Sequence, residues 1–217
     1  MRVVRPSKIL CVGRNYAAHA AELGHEVPKE PLIFLKASSA VIGDGDAIVI
    51  PSWAGRIEHE GEIGIVIGRR ARNVSSQDAW KHVAWVVPLN DVTARELQKK
   101  DGQWARAKGF DTFCPIGTPV PAEGRDPRAL EVITRVNGQV RQHGHASDMA
   151  FPIPYVVAYC STFATLEEGD VLATGTPEGV GPLVPGDVVE VEIPGVGRVR
   201  NPVIAGNDPG PEPRPNA

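Results

Sequence analysis

The sequence predicts a mainly β fold of the α+β class, organised as one domain with short helices at its periphery. Glycine (23 residues) and proline (20 residues) are frequent and spread along the 217-residue chain, which favours many short strands and turns over a helical bundle. Apolar runs that are rich in β-branched residues and bounded by glycine are typical of core strands, and residues 62–67 are the clearest example. Helical patterns are fewer and short.

The strand pattern recurs from one end of the chain to the other. The predicted strands cover residues 9–12, 32–36, 47–50, 62–67, 84–87, 132–136, 170–173, 187–193 and 198–203. The predicted helices cover residues 16–23, 75–82, 93–102 and 154–163. No linker composition separates these elements, so we predict a single domain over residues 1–205. The segment 206–217 is rich in proline and glycine and is predicted to be a flexible tail.

Capping signals define the ends of these helices. Asn15 is a possible N-cap of the first helix, and Gly24 is placed to end it. Thr93 and Glu96 have the spacing of a capping box, which predicts that Thr93 caps the third helix. Pro154 suits the first position of the last helix.

Charge and cysteine content limit the classes of partner. A net charge of −3 with scattered lysine and arginine gives no basic surface for nucleic acid. The first residues lack the apolar stretch of a signal peptide, and no apolar run is long enough to span a membrane. Cys11, Cys114 and Cys160 form no Cys-x-x-Cys pair, as expected for buried thiols in a reducing compartment. We therefore expect a cytoplasmic protein that binds a small ligand rather than nucleic acid or membrane.

Acidic side chains lead into the strand predicted at residues 62–67. Because side chains alternate along a strand, Glu58, Glu60 and Glu62 are expected to share one face, where burying like charges without partners is costly. A hard divalent cation such as magnesium, manganese or calcium would relieve their repulsion. Asp91, at the end of a later apolar run, is placed to reach the same cation. The alternatives are a solvated strand face for the glutamates and a helix cap for Asp91.

A second group of polar residues has the spacing of catalytic side chains. His19 and Glu22 lie three residues apart on the first predicted helix, so the carboxylate is placed to orient the imidazole as a general base. A surface contact between the two is the alternative. Lys108 has aromatic neighbours within residues 107–113, which suits it to stabilise an enolate or to hold a substrate carboxylate.

A glycine-rich loop follows the strand predicted to end at residue 173. Its sequence, residues 173–181, would let backbone amides and the hydroxyl groups of Thr174 and Thr176 approach an anionic ligand. The loop lacks the Lys-Ser/Thr pair of a Walker A motif, so we predict no nucleotide cofactor.

Taken together and in this order, these segments resemble the fumarylacetoacetate hydrolase superfamily. The resemblance is strongest to its short acylpyruvase-like and 2-hydroxyhepta-2,4-diene-1,7-dioate isomerase-like members. The matching segments, which span nearly the whole chain, are residues 13–16 with His19 and Glu22, 34–36, 59–62, 90–95, 107–110 and 174–181. The resemblance implies a mixed β-sandwich roll, a homodimer, and one magnesium or manganese ion in each subunit.

The same resemblance implies roles for individual residues in a single catalytic domain. The metal ligands are expected to be Glu60, Glu62 and Asp91. The catalytic residues are expected to be His19, Glu22 and Lys108, and the substrate contacts Arg14, Gln98, Thr174 and Thr176. Family members commonly have His-His before the first metal-binding glutamate, whereas this chain has Glu58-His59. Glu58 is therefore expected to add negative charge near the cation.

Substrates of this family share a 2-oxo acid group, and the resemblance implies hydrolysis of a C–C bond in an acylpyruvate through an enolate stabilised by the metal. The His19–Glu22 pair favours hydrolysis because it supplies a base for water. Two other reactions pass through the same enolate and stay open: decarboxylation of an oxaloacetate-like substrate, and isomerisation of a 2-hydroxy-dienedioate from aromatic ring cleavage. A non-catalytic β domain that binds a metal and an anionic metabolite is the alternative of another class.

Overall fold

A computed structural model describes residues 6–22, 24 and 26–212, and its many strands confirm the mainly β fold. The strands are β1 (Ile9–Gly13), β2 (Leu32–Lys36), β3 (Val41–Ile42), β4 (Ile48–Ile50), β5 (Ile57–His59), β6 (Gly61–Ile67), β7 (Val83–Asn90), β8 (Thr93–Ala94), β9 (Cys114–Pro115), β10 (Val120–Pro121), β11 (Glu131–Val136), β12 (Gln139–His145), β13 (Val171–Ala173), β14 (Gly181–Pro182), β15 (Val188–Ile193) and β16 (Gly197–Ala205). The helices are α1 (Ala17–Glu22), α2 (Ser76–Ala79), α3 (Arg95–Asp101), α4 (Ala105–Lys108) and α5 (Ile153–Phe163).

A six-stranded sheet in the order β10-β7-β6-β13-β1-β2 carries the polar residues of interest at one end. Its pairs are antiparallel except for β1 and β13, which run parallel. Every residue of β6 is buried, as expected for a strand in the middle of a core. The register of β6 with β7 pairs Gly61 with Asn90, and this brings the residues that flank the two strands together.

A five-stranded sheet in the order β12-β11-β15-β16-β4 packs against the first sheet. Burial alternates along β11 and β15, so one face of each strand enters the core and the other faces outward. The shared core joins Ile63 and Ile65 of β6 to Val132 of β11 and Val191 of β15. In the residues that the model describes, no helix has the length and apolar character needed to cross a membrane.

Several predicted element ends differ from the structure. Asn15 does not cap α1, because its side-chain oxygen accepts from the Phe151 amide at 2.8 Å. Its side-chain nitrogen donates to the carbonyl oxygens of Phe151 and Thr174, so the side chain ties distant segments together. Thr93 does not cap α3: it lies in β8, and its hydroxyl donates to the carbonyl oxygen of Asp91. Pro154 is the second residue of α5 rather than the first. Position 23, the predicted end of the first helix, lies outside the described residues.

Seven strands were not predicted: β12, the three-residue β5, and the two-residue strands β3, β8, β9, β10 and β14. In β12 only Gln142 and Gly144 are buried, so the sequence of this edge strand lacks an apolar run.

The predicted tail is in contact with the domain over part of its length. Gly206 donates to the carbonyl oxygen of Ile50, and Ser52 donates to that of Asp208. Residues 213–217 lie outside the described part of the chain.

Candidate metal centre and active site

Three buried carboxylates meet where β6 and β7 come together, and we call them the acidic triad (Glu60, Glu62 and Asp91). Glu60 precedes β6, Glu62 is its second residue, and Asp91 follows β7. The Asp91 amide donates to the carbonyl oxygen of Glu60 at 2.8 Å, which fixes the strand ends next to each other. One oxygen from each carboxylate lies within 4.8 Å of the others, so the three can reach a single cation.

Three cationic side chains surround the acidic triad. Lys36 Nζ lies 2.6 Å from Asp91 Oδ1. Lys108 Nζ bridges Glu60 Oε2 at 2.7 Å and Asp91 Oδ2 at 2.6 Å. Arg95 Nη2 lies 2.6 Å from Glu60 Oε1. Burial alone would raise the pKa of Glu60, but the charges of Lys108 and Arg95 outweigh it, so its pKa lies well below the usual range.

Glu62 is the member of the triad that lacks such compensation. Its carboxylate accepts a hydrogen bond from the Gly175 amide at 2.7 Å, and no cationic side chain of the described residues forms an ion pair with it. Burial, together with the charges of Asp91 and Glu60, raises the pKa of Glu62 well above its ordinary value. A buried carboxylate in this position fits a bound divalent cation, because the cation would supply the missing positive charge.

Glu58 was expected to share a face with the triad, and the structure places it elsewhere. Its Oε1 accepts from Arg56 Nε at 2.6 Å and its Oε2 accepts from Arg95 Nε at 2.7 Å. The strand is interrupted at Glu60, between β5 and β6, so the simple alternation from residue 58 to residue 62 does not hold. The negative charge of Glu58 is therefore balanced by two guanidinium groups and does not join the acidic triad.

A cavity of about 1180 Å³ opens in front of the acidic triad, and His19 and Glu22 line its wall. His19 Nδ1 lies 3.3 Å from Glu22 Oε2, as the spacing on α1 predicted. The His19 side chain is 5% exposed and that of Glu22 is 34% exposed, so the pair runs from the interior to the solvent. Glu22 also accepts from the Gly179 amide at 3.1 Å, which links α1 to the glycine-rich loop.

Lys108 is buried and its ammonium group is fully occupied. Besides its two carboxylate partners, Nζ donates to Thr93 Oγ1 at 2.8 Å. The ring centroids of Phe34 and Trp104 lie 4.9 Å and 5.9 Å from Nζ. Burial opposes the charge on Lys108, but the carboxylates of Asp91 and Glu60 hold its pKa above the ordinary value. In this structure Lys108 balances charge in the acidic triad rather than presenting a free donor to the cavity.

The four predicted substrate contacts divide into two groups. Arg14, Gln98 and Thr176 line the cavity. Arg14 adopts a left-handed backbone conformation with φ of 58°, which is uncommon for a residue with a side chain. Thr174 does not line the cavity, because its hydroxyl donates to the carbonyl oxygen of Ile63 and its side chain is fully buried.

Three further residues at the site were absent from the predicted set: Lys36, Arg95 and Gln142. Gln142 is buried, and its Oε1 accepts from the Gly61 amide at 3.0 Å and lies 3.1 Å from His59 Nδ1. Its Nε2 donates to Thr176 Oγ1 at 2.7 Å. Gln142 thus ties β6 to the glycine-rich loop. Lys36 and Arg95 lie within segments that match the family, so the sequence contained a signal for both residues. No local sequence pattern indicated Gln142.

A β-sandwich that holds three buried carboxylates at the wall of a large cavity is an arrangement with the ligand atoms for a metal ion and the space for a small molecule. The chain belongs to the fumarylacetoacetate hydrolase family, because the sequence model of the family described as "Fumarylacetoacetate (FAA) hydrolase C-terminal" matches residues 8–204. This confirms the family and the fold that the sequence motifs implied.

Known proteins are similar over nearly the whole chain. Oxaloacetate tautomerase FAHD1, mitochondrial, of Arabidopsis thaliana is 48% identical over 199 residues, which cover 89% of both chains. A structure of 5-carboxymethyl-2-hydroxymuconate delta-isomerase from Mycobacterium smegmatis matches with a TM-score of 0.87 and 46% identity, covering 94% of this chain and 81% of that one. Fumarylpyruvate hydrolase from Pseudomonas aeruginosa, solved with Mn2+ and pyruvate, matches with a TM-score of 0.87 and 32% identity over 93% and 91% of the two chains.

Proposed function

We propose that this protein is a divalent-metal-dependent enzyme that converts a small 2-oxo acid through its enolate, with His19 as the general base. The observation that carries the proposal is that one cavity is lined by both the acidic triad and the His19–Glu22 pair. A divalent cation held by the triad would supply Lewis-acid chemistry, drawing electrons from the substrate carbonyl group. The Mn2+ in the similar fumarylpyruvate hydrolase supports Mn2+ or Mg2+ as the ion.

His19 is placed to take up and return one proton at the cavity wall. With the Nδ1 proton directed at Glu22, the lone pair of Nε2 is available to a reactant. Glu22 orients the ring and stabilises the imidazolium that forms when Nε2 accepts a proton. Lys108 and Arg95 keep Glu60 ionised, while the side chains of Arg14 and Gln98 reach the cavity and are placed to orient the substrate.

Hydrolysis of an acylpyruvate is the first specific candidate. It requires a water molecule at Nε2 of His19, and the partial exposure of Glu22 gives water a route along this pair. Attack of that water on the distal carbonyl would release pyruvate as its enolate and a carboxylic acid. The similarity to fumarylpyruvate hydrolase supports this reaction.

Proton transfer along an enol is the second candidate, and the relatives with higher identity favour it. The oxaloacetate tautomerase at 48% identity and the delta-isomerase at 46% identity carry names of reactions that move a proton without breaking a C–C bond. The same His19 would then exchange a proton with a carbon atom of the substrate instead of with water. Decarboxylation of oxaloacetate would need the Lewis acid but no base.

An isotope experiment separates these reactions. Acetylpyruvate and the enol form of oxaloacetate are supplied with Mg2+ or Mn2+ in H2(18)O and in D2O. Hydrolysis puts 18O into the carboxylic acid product. Tautomerisation puts deuterium on carbon and leaves the carbon skeleton intact. His19→Gln should lower kcat by on the order of a hundredfold with little change in KM.

His82→Gln is the matched control, because His82 does not line the cavity and its ring Nδ1 lies within hydrogen-bond distance of the backbone carbonyl oxygens of residues 69 and 70. Full activity in His19→Gln would contradict the role of His19. If both reactions persist after the divalent metal is removed, the enolate proposal is contradicted. We also propose that the substrate is a small 2-oxo acid and that the protein forms a homodimer.

A further inference from the structure

A second group of potential metal ligands lies outside the cavity, on the outer face of the five-stranded sheet. Glu131 of β11 pairs in register with His145 of β12, and Ile133 pairs with His143. His143 and His145 are two residues apart on one strand, so both side chains leave the same face as Glu131. Their side chains are 49% and 51% exposed, and that of Glu131 is 28% exposed.

The atoms of this group converge on one point. Nε2 of His143 lies 3.0 Å from Oε2 of Glu131, and Nδ1 of His145 lies 3.6 Å from the same oxygen. The two imidazole rings are 5.0 Å apart at their centroids, and one ligand atom from each of the three residues lies within 4.8 Å of the others. Ligand atoms around a tetrahedral zinc ion are roughly 3.3 Å apart, as follows from Zn–N bonds of 2.0–2.1 Å.

We propose that Glu131, His143 and His145 form a second divalent-metal site, specific for a metal that prefers nitrogen ligands, such as Zn2+. Two imidazoles and one carboxylate are a zinc ligand set, and the exposure of the site leaves the fourth position to water. The acidic triad offers oxygen atoms only, which suits Mg2+ or Mn2+. The two sites therefore select different ions.

Occupation of this site would fasten the edge of the sheet. Within the described part of the chain, β12 is the edge strand of its sheet and pairs with β11 alone, so a metal that bridges Glu131 to the two histidines spans that pairing. Gln142, which precedes His143, points to the opposite face and holds the Gly61 amide and Thr176. A bound zinc ion would thus stabilise the strand that supports the cavity without entering the cavity.

The test is a zinc count by equilibrium dialysis in excess Mg2+, with the whole chain and with the variant His143→Ala/His145→Ala. The variant should bind one zinc ion fewer for each chain than the unmodified protein. Any zinc that displaces Mg2+ from the acidic triad contributes equally to both proteins and cancels in the difference. His82→Ala, which removes a histidine outside the site, should leave the count unchanged.

A thermal measurement gives an independent readout. At a hundredfold excess of free zinc over Kd, linkage predicts that Tm rises by roughly 5 to 10 °C, and the double variant should lose this increment. A cooperative unfolding transition of the metal-free double variant, at a Tm close to that of the metal-free unmodified protein, shows that the variant is folded. Equal zinc counts in the two proteins would overturn the proposal and leave a plain hydrogen-bonded Glu–His group. An equal loss in His82→Ala would also overturn it.

Discussion

Glu62 and Asp170 are two buried carboxylates with opposite surroundings. The Asp170 carboxylate accepts from the Ser7 hydroxyl at 2.5 Å, from the Lys8 amide at 3.2 Å and from the Glu167 amide at 2.7 Å, and it forms an ion pair with Lys8 Nζ. Burial raises its pKa, but these bonds outweigh burial and the pKa lies below its ordinary value. Glu62 has one backbone donor, and its pKa is raised.

This difference separates a carboxylate that is balanced by its own chain from one that keeps uncompensated negative charge. Asp170 is satisfied by its own chain, which binds the segment before β1 to the start of β13. Glu62 instead faces Asp91 and Glu60, and burial together with their charges outweighs the opposing effects of the Gly175 amide and Lys108. A positive charge from outside the chain would relieve the repulsion that remains. A substitution at Asp170 should therefore lower the free energy of unfolding, whereas a substitution at Glu62 should mainly change the response to metal.

Asp91→Ala should have the largest effect, and it tests the part of the comparison that concerns metal binding. It removes the carboxylate that pairs with buried Lys36, one of the two carboxylates that pair with buried Lys108, and one member of the triad. Leaving buried charges unpaired should lower the free energy of unfolding by about 3–5 kcal/mol. The rise in Tm on adding Mg2+ or Mn2+ should also disappear. Urea denaturation measures the loss of unfolding free energy, and thermal unfolding with and without metal measures the change in Tm.

Asp78→Ala is the control for that prediction. Asp78 also contacts a lysine, Lys81 at 2.7 Å, but on the exposed surface of α2. Its ion pair should contribute little, and the metal response should be unchanged. A comparable loss of stability in both variants, or a metal response that survives Asp91→Ala, would contradict the assignment of the triad.

Asp170→Asn should have a smaller effect, about 2 kcal/mol, because an amide nitrogen replaces an oxygen that accepts from a backbone amide. Since the folded pKa lies below the unfolded value of about 3.9, the stabilisation is complete above that pH. It is lost as the pH falls through the folded pKa. The difference in unfolding free energy between the two proteins should therefore shrink on acidification below about pH 4. A constant difference would show that the charge is not the cause.

Glu62→Gln should have the smallest effect on the metal-free protein. The amide keeps an oxygen for the Gly175 amide and removes a negative charge from beside Asp91. In the presence of EDTA the variant should be as stable as the unmodified protein, or more stable by about 1 kcal/mol. Its metal response should nevertheless be lost. A destabilisation as large as that of Asp170→Asn would show that Glu62 stabilises the fold and would contradict its assignment to the metal centre.

The strands and the acidic residues of the site could be predicted because their signals are local. The apolar run of β6 and its flanking glycines lie within a few residues of Glu62, and a single helical turn connects His19 to Glu22. Each of these patterns depends on backbone periodicity alone. The order of the motifs indicated the family, and the family favoured Asp91 as a metal ligand over the alternative of a helix cap.

The remaining features depend on contacts between residues that are distant in sequence. Lys36 meets Asp91 across 55 positions, and Gln142 meets the Gly61 amide across 81. Local rules assigned Asn15 and Thr93 to helix caps, but the side chain of Asn15 is used to join distant segments and that of Thr93 to bind Asp91 and Lys108. Glu58 was misplaced for a related reason, because the break at Glu60 turns its carboxylate to Arg95. Tertiary contacts decide these cases, and periodicity does not encode them.

The position of Trp104 has an optical consequence. Its indole lies at the wall of the cavity, 5.1 Å from the ring of Phe34 and 5.9 Å from the ammonium group of Lys108. Indole emission responds to nearby charge, so a cation or anion that enters the cavity and draws on Lys108 changes the field at this fluorophore. Because the chain has 4 tryptophans, the spectrum of Trp104→Phe, subtracted from that of the unmodified protein, isolates the signal. The cavity therefore contains its own fluorescent reporter of occupancy, which needs no added dye and no turnover.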